Sequence, residues 1–212
     1  MKTVLIYGDS NSHGTKPMLV AGESRRYAPG TPWPDVMAEA LGPKVRVITE
    51  GLPGRTTVHD DPVEGGVRNG LAVLPAILHS HKPVDLMIIM LGTNDLKPRF
   101  TVSAYEIARS LERMIRAARA EGVHSADLLI APPPVRETGV LTDVFAGAEA
   151  RQTGMAGQIE AAAARIGCGF VNAGDHVTVS DTDGVHWEAE AHQSFGAAMA
   201  RVVAGQLARI DG

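Results

Sequence analysis

Thr3-Val4-Leu5-Ile6-Tyr7-Gly8-Asp9-Ser10 decides the fold. Its first five residues are apolar or β-branched with no polar alternation, as a strand covered on both faces requires. Glycine, aspartate and serine then end it abruptly. Four further short runs of the same kind occupy residues 45–49, 86–91, 128–131 and 170–172. Segments of helical character separate them, at 34–41, 67–80, 104–121, 152–166 and 188–208. In the third of these, Ile107, Leu111, Met114, Ile115 and Ala118 keep the three-and-four spacing of one buried stripe. The alanines at 161 to 164 favour helix and close packing on a sheet.

Strict alternation of strand and helix predicts a parallel sheet with helices on both faces. Five strands make it a flavodoxin-like three-layer α/β/α sandwich with strand order 2-1-3-4-5. No repeat, linker or low-complexity stretch divides the chain, so residues 1–212 read as one domain. The connectors at 16–33, 53–68 and 132–151 are long, and each follows the carboxyl end of a predicted strand. Ligands bind outside those ends in an open parallel sheet, so these loops should rim one pocket.

The 212 residues carry a formal charge of −4, with 44% hydrophobic and 21% charged side chains. That balance fits a globular protein and lacks the basic excess of a nucleic-acid binder. Cys168 is the single cysteine, so no internal disulfide forms. The apolar run at the N-terminus is too short for a secretory signal, and residues 86–91 are too few to span a bilayer. The expectation is a cytoplasmic protein with no membrane or nucleic-acid partner.

Chemistry concentrates where strands end. Ser10, just after the first strand, would present a hydroxyl and a backbone N–H to the pocket and needs a base to act as nucleophile. The ordinary alternative is that Asp9-Ser10 caps a helix. Gly8 and Gly14 are wrongly spaced for a phosphate loop, and no Gly-Lys-Ser/Thr follows. After the third strand, Gly92-Thr93-Asn94-Asp95 projects the Asn94 carboxamide, a neutral donor suited to a developing oxyanion or, equally, an Asx turn. After the second, Pro53-Gly54 offers a bare N–H within a turn. Finally, Asp183-Gly184-Val185-His186 folds a carboxylate back toward an imidazole, which fixes its tautomer and stabilises its protonated form. The competing reading is a helix-start cap beside a surface histidine. All four groups fall on the same edge of the predicted sheet.

These segments resemble the SGNH-hydrolase (GDSL-type esterase) superfamily. Its four blocks stand here as Gly8-Asp9-Ser10, the glycine of Pro53-Gly54-Arg55-Thr56, Gly92-Thr93-Asn94-Asp95 and Asp183-Gly184-Val185-His186. Residues 50–57 and 88–97 look most like the bacterial arylesterase/acyltransferase and carbohydrate acetylesterase branch. Asn11-Ser12 departs from the usual first block, whose name-giving leucine is missing. The resemblance implies Ser10 as nucleophile, His186 as general base and acid, and Asp183 as its orienter. It also implies an oxyanion hole made of the Ser10 and Gly54 N–H groups and the Asn94 side chain.

The implied substrate is a small-molecule ester with a short acyl chain, acetyl to butyryl, on an aryl, alkyl or carbohydrate alcohol. Acyl transfer is a further capacity, and a homo-oligomer is expected. Asp9, Trp33, Leu52, Pro53, Leu96 and Val185 are the substrate-binding candidates, with Phe145 and Trp187 as further apolar neighbours. No cofactor is implied. His79-Ser80-His81 and His59-Asp60-Asp61 lack a recognised metal spacing, so no metal is expected and activity should survive a chelator. Cys168, next to a buried strand, reads as packing. A non-enzymatic flavodoxin-like binding module keeps the fold and treats Ser10, Asn94 and His186 as caps and ligand contacts. An imidazole base adds the expectation that activity falls as acid protonates it.

Overall fold

The computed structural model describes residues 1–210. The strands are β1 (Lys2–Gly8), β2 (Val45–Gly51), β3 (Val84–Met90), β4 (His124–Ala131) and β5 (Gly169–Asn172). All pairings are parallel, in the order β2-β1-β3-β4-β5. The helices are α1 (Ser10–His13), α2 (Trp33–Leu41), α3 (Gly70–His81), α4 (Ala104–Glu121), α5 (Ala148–Arg151), α6 (Met155–Ile166) and α7 (Ala189–Ile210).

The continuous apolar runs of the inner strands follow from burial on two faces. Leu5, Tyr7, Met87, Ile89 and Leu129 meet α3, α4 and α6 on one side. Val4, Ile6, Leu86, Ile88, Leu128 and Ile130 meet Trp33 and Met37 of α2 and Phe195, Met199 and Val203 of α7 on the other. Right-handed crossovers explain the division, because the chain moves one way from β1 to β2 and the other way from β2 onward, so the covering helix changes face. That reversal leaves a crevice between the ends of β1 and β3. Register makes the ends level there: Gly8 pairs with Met90 on one side and Gly51 on the other.

The structure departs from the sequence reading at particular ends. β4 starts at His124 rather than 128, since His124 Nε2 and Asp127 Oδ1, 2.5 Å apart, satisfy each other where the run turns polar. α3 starts at Gly70 rather than 67, where Asn69 caps it by accepting from Ala72 N. Residues 67–69 instead lie beside Thr56, whose N–H donates to Arg68 O at 3.0 Å. The helix expected from 152 starts instead at Met155, as α6, because Gly154 takes φ +74°, and the short α5 forms inside the stretch read as a connector. No helix among the described residues is long and apolar enough to cross a membrane.

Candidate active site

Ser10 is the first residue of α1, and Asp9 is its cap, accepting from Asn11 N at 3.0 Å. The cap reading is therefore right for Asp9, and it is also what aims Ser10 into the crevice. Asp9 is 1% exposed. Burial pushes its carboxyl up to about 6, against the pull of the Asn11 hydrogen bond and the charges of His186 and Arg55.

The loop before α7 is tied at several points. Gly184 N donates to Ser180 O, Ser180 N to His186 O, and Arg136 N to Gly184 O. Gly184 takes φ +75°, and a Cβ there would stand 1.9 Å from Arg136 O, so glycine is required. The turn leaves Asp183 fully enclosed. Its Oδ1 accepts from Val185 N and His186 N, both at 2.9 Å. Its Oδ2 accepts from Met18 N at 2.7 Å and from His186 Nδ1 at 2.6 Å. Burial alone would raise this carboxyl, but the hydrogen bonds and the neighbouring imidazole outweigh it and hold Asp183 below the usual range. With the proton on Nδ1, His186 Nε2 is left as an acceptor, 3.1 Å from Ser10 Oγ. Asn11 Nδ2 donates to Val185 O at 3.1 Å and fastens α1 to the same loop.

Three donors face the crevice. Asn94 lies in a 3₁₀ turn after β3 and gives one amide proton to Arg55 O at 3.1 Å, leaving the other free. The N–H groups of Ser10 and Gly54 have no partner among the described residues. Gly54 takes φ +80° in a loop anchored at both ends. Leu52 N and Arg55 Nη1 both donate to Gly8 O, and the Arg55 guanidinium lies 4.0 Å from the Tyr7 ring centroid. Farther along, Thr57 N and Oγ1 donate to the buried Asp95 carboxylate, joining the loop after β2 to the turn that carries Asn94. Burial raises the Asp95 carboxyl.

A cavity of about 160 Å³ opens onto Ser10, Gly54, Asn94 and His186. Met18, Leu141, Val144, Phe145 and Val185 supply apolar lining, whereas Pro53, Glu64, Arg68 and Lys97 form a largely charged wall. Of the substrate-binding candidates, Pro53 and Val185 line this cavity and four do not. Asp9 is turned into the α1 cap. Trp33 packs under the opposite face of the sheet, as does Trp187. Leu96 is fully buried in the core beneath α4 and α6, and Leu52 lies outside the lining. The sequence reading missed Met18, Glu64, Arg68, Lys97, Leu141 and Val144. Lys97 closes the Gly92–Lys97 motif at a strand end, a signal that could have found it; the others sit in loops or, for Leu141, in a short 3₁₀ turn.

The remaining histidines and Cys168 have other occupations. His192 accepts from Trp33 N at 3.2 Å, and burial pushes its pKa down to about 4. His79 and His81 end α3 against Glu121 and Glu50. Among the described residues no group of three or more His, Cys, Asp or Glu could hold a metal ion. Burial drives the Cys168 thiol up to about 12, which removes its thiolate at neutral pH.

Known proteins share this fold. The GDSL-like Lipase/Acylhydrolase family matches residues 6–194. The aryl esterase of M. smegmatis superposes with a TM-score of 0.92 at 32% identity, over 97% of this chain and 100% of its own. Est24, a carbohydrate acetylesterase from Sinorhizobium meliloti, gives 0.91 at 34% identity, over 97% and 99%. A carbohydrate acetylesterase family member from the same organism gives 0.89 at 36%, over 98% and 100%. No curated protein matches by sequence. A family match across most of the chain, together with the fold and the ordered blocks, establishes that this chain belongs to the GDSL-like lipase/acylhydrolase family.

Proposed function

We propose that the protein hydrolyses short-chain acyl esters through an acyl-enzyme on Ser10. The observation that carries this reading is the unbroken line from Asp183 Oδ2 through His186 to Ser10 Oγ, with links of 2.6 and 3.1 Å at the mouth of a cavity. His186 Nε2 takes the Ser10 proton as Oγ attacks the ester carbonyl. Asp183 keeps the imidazole in the acceptor tautomer and stabilises its charge. The carbonyl oxygen gains negative charge between the N–H groups of Ser10 and Gly54 and the free Asn94 proton. His186 then protonates the leaving alcohol, and an activated water releases the acid by the reverse sequence. An alcohol in place of that water completes acyl transfer through the same intermediate.

Cavity size supports a short acyl group. About 160 Å³ is well below the roughly 300–1,000 Å³ of pockets for drug-sized ligands. The similar aryl esterase and carbohydrate acetylesterase agree with small esters. Rates on p-nitrophenyl esters of rising chain length test the reading: they should peak between acetyl and butyryl and vanish in Ser10→Ala. A peak at octanoyl or longer, or a Ser10→Ala variant of full activity, would overturn it.

A further inference from the structure

Five charged side chains gather beside Gly54, and four of them satisfy each other. Lys97, 2% exposed, pairs with Glu64 and lies 3.6 Å from Asp61. Arg99 reaches Asp61 at 2.7 Å and Glu64 at 2.9 Å. The fifth is Arg68. Its side chain makes no hydrogen bond or ion pair among the described residues, and its Nε is shielded from solvent without an acceptor. It nevertheless lines the cavity with Ser10, Gly54 and His186. A Cβ placed on Gly54 would lie 2.8 Å from Glu64 Oε2 and 3.0 Å from Arg68 Nε, so both side chains pack against the glycine that offers an oxyanion donor.

Leaving a buried donor unpaired is costly, and native structures rarely do so without a reason. Asp61 and Glu64 set two negative charges against the three positive charges of Lys97, Arg99 and Arg68, so the wall holds one surplus positive charge. A guanidinium offers planar, forked donors that suit a carboxylate. Resting on the esterase reading, we propose that Arg68 is a substrate subsite that takes a carboxylate borne by the ester, a few bonds from the reacting carbonyl. The apolar side of the cavity, at Leu141, Val144, Phe145 and Val185, takes the uncharged substituent.

Matched ester pairs test this and tell whether the carboxylate sits on the acyl or the alcohol side. p-Nitrophenyl hemisuccinate against p-nitrophenyl butyrate varies the acyl group; acetoxybenzoate against phenyl acetate varies the alcohol. In one of the two pairs, the charged-to-neutral ratio of kcat/KM should fall about ten- to a hundredfold in Arg68→Gln, mainly through KM, and return in part in Arg68→Lys. In the wild-type chain, added salt should slow the charged ester of that pair more than the neutral one. Equal losses on charged and neutral esters, or equal salt responses in both pairs, would overturn the subsite. Wild-type protein inactive on all four esters, charged and neutral, would instead overturn the esterase reading beneath it.

Discussion

Replacing Asp183 with asparagine changes one atom pair and should remove nearly all turnover. The carboxylate accepts from four N–H groups: those of Val185 and His186 on Oδ1, and Met18 N with His186 Nδ1 on Oδ2. A carboxamide accepts on one side only, and its NH₂ must face donors on the other. If the NH₂ meets His186, it donates to Nδ1, forces the proton onto Nε2 and leaves Ser10 without a base. If it turns away, Val185 N and His186 N lose their acceptor. Each such buried loss costs about 1–3 kcal/mol, so the variant should be roughly 2–6 kcal/mol less stable in that orientation. The alternative orientation orphans Met18 N and mis-sets the tautomer. Loss of the correct tautomer reduces kcat on the order of 10⁴-fold in the serine-protease triad, and a similar loss is expected here. The ionised Asp183 also contributes stability above the ordinary carboxylate range, and this is lost as pH falls through its lowered folded value. Asp183→Asn should therefore flatten the acid limb of the unfolding curve. Initial rates on p-nitrophenyl acetate and urea unfolding across pH read both effects. A folded variant that retains more than about a tenth of wild-type kcat would refute the assignment of Asp183 as orienter.

Asn94→Ala removes one oxyanion donor and should lower kcat on the order of 10²–10³-fold with little change in KM; steady-state kinetics with unchanged kcat would exclude that role. Asp9→Asn should raise stability at pH 8 by about 3 kcal/mol, because burial holds the native carboxyl near 6 and its ionisation opposes folding. As pH rises from about 4 to 6 the folded wild-type chain keeps a proton that the unfolded one releases, so its stability declines across that window. The difference between the two proteins should disappear below about pH 4, and an Asp9→Asn variant less stable at pH 8 in urea would contradict this. Gly184→Ala should cost more than about 1 kcal/mol and disturb the triad, since the new methyl meets Arg136 O; a melting temperature and rate equal to wild type would show that the loop yields freely.

The sheet was legible because each inner strand is apolar on both faces, and strand order followed once five such runs alternated with helices. Ser10 and Asn94 were legible because glycine and polar residues abruptly end an apolar run, and Asp183 and His186 because an Asp three residues before a His, with glycine between, precedes the last helix. What escaped depends on tertiary placement. Nothing local distinguishes Trp33, packed under the sheet, from Phe145 in the cavity wall. Leu96 follows Asn94 so closely that proximity suggested the pocket, yet the 3₁₀ turn points it into the core. The short α5 and the late start of α6 hung on the backbone at Gly147 and Gly154, both at φ +74°. Glu64 reaches Lys97, and Arg68 reaches the cavity, only through the folding of a long loop, so neither placement had a sequence pattern.

Rapid acid quenching of the protein during turnover of p-nitrophenyl acetate, followed by mass spectrometry of its peptides, tests covalent catalysis at this site directly. The expected result is one acetyl group on the peptide carrying Ser10, absent from Ser10→Ala. Active wild-type protein with no acyl group on Ser10 at any quench time, or with the group on another residue, would contradict it.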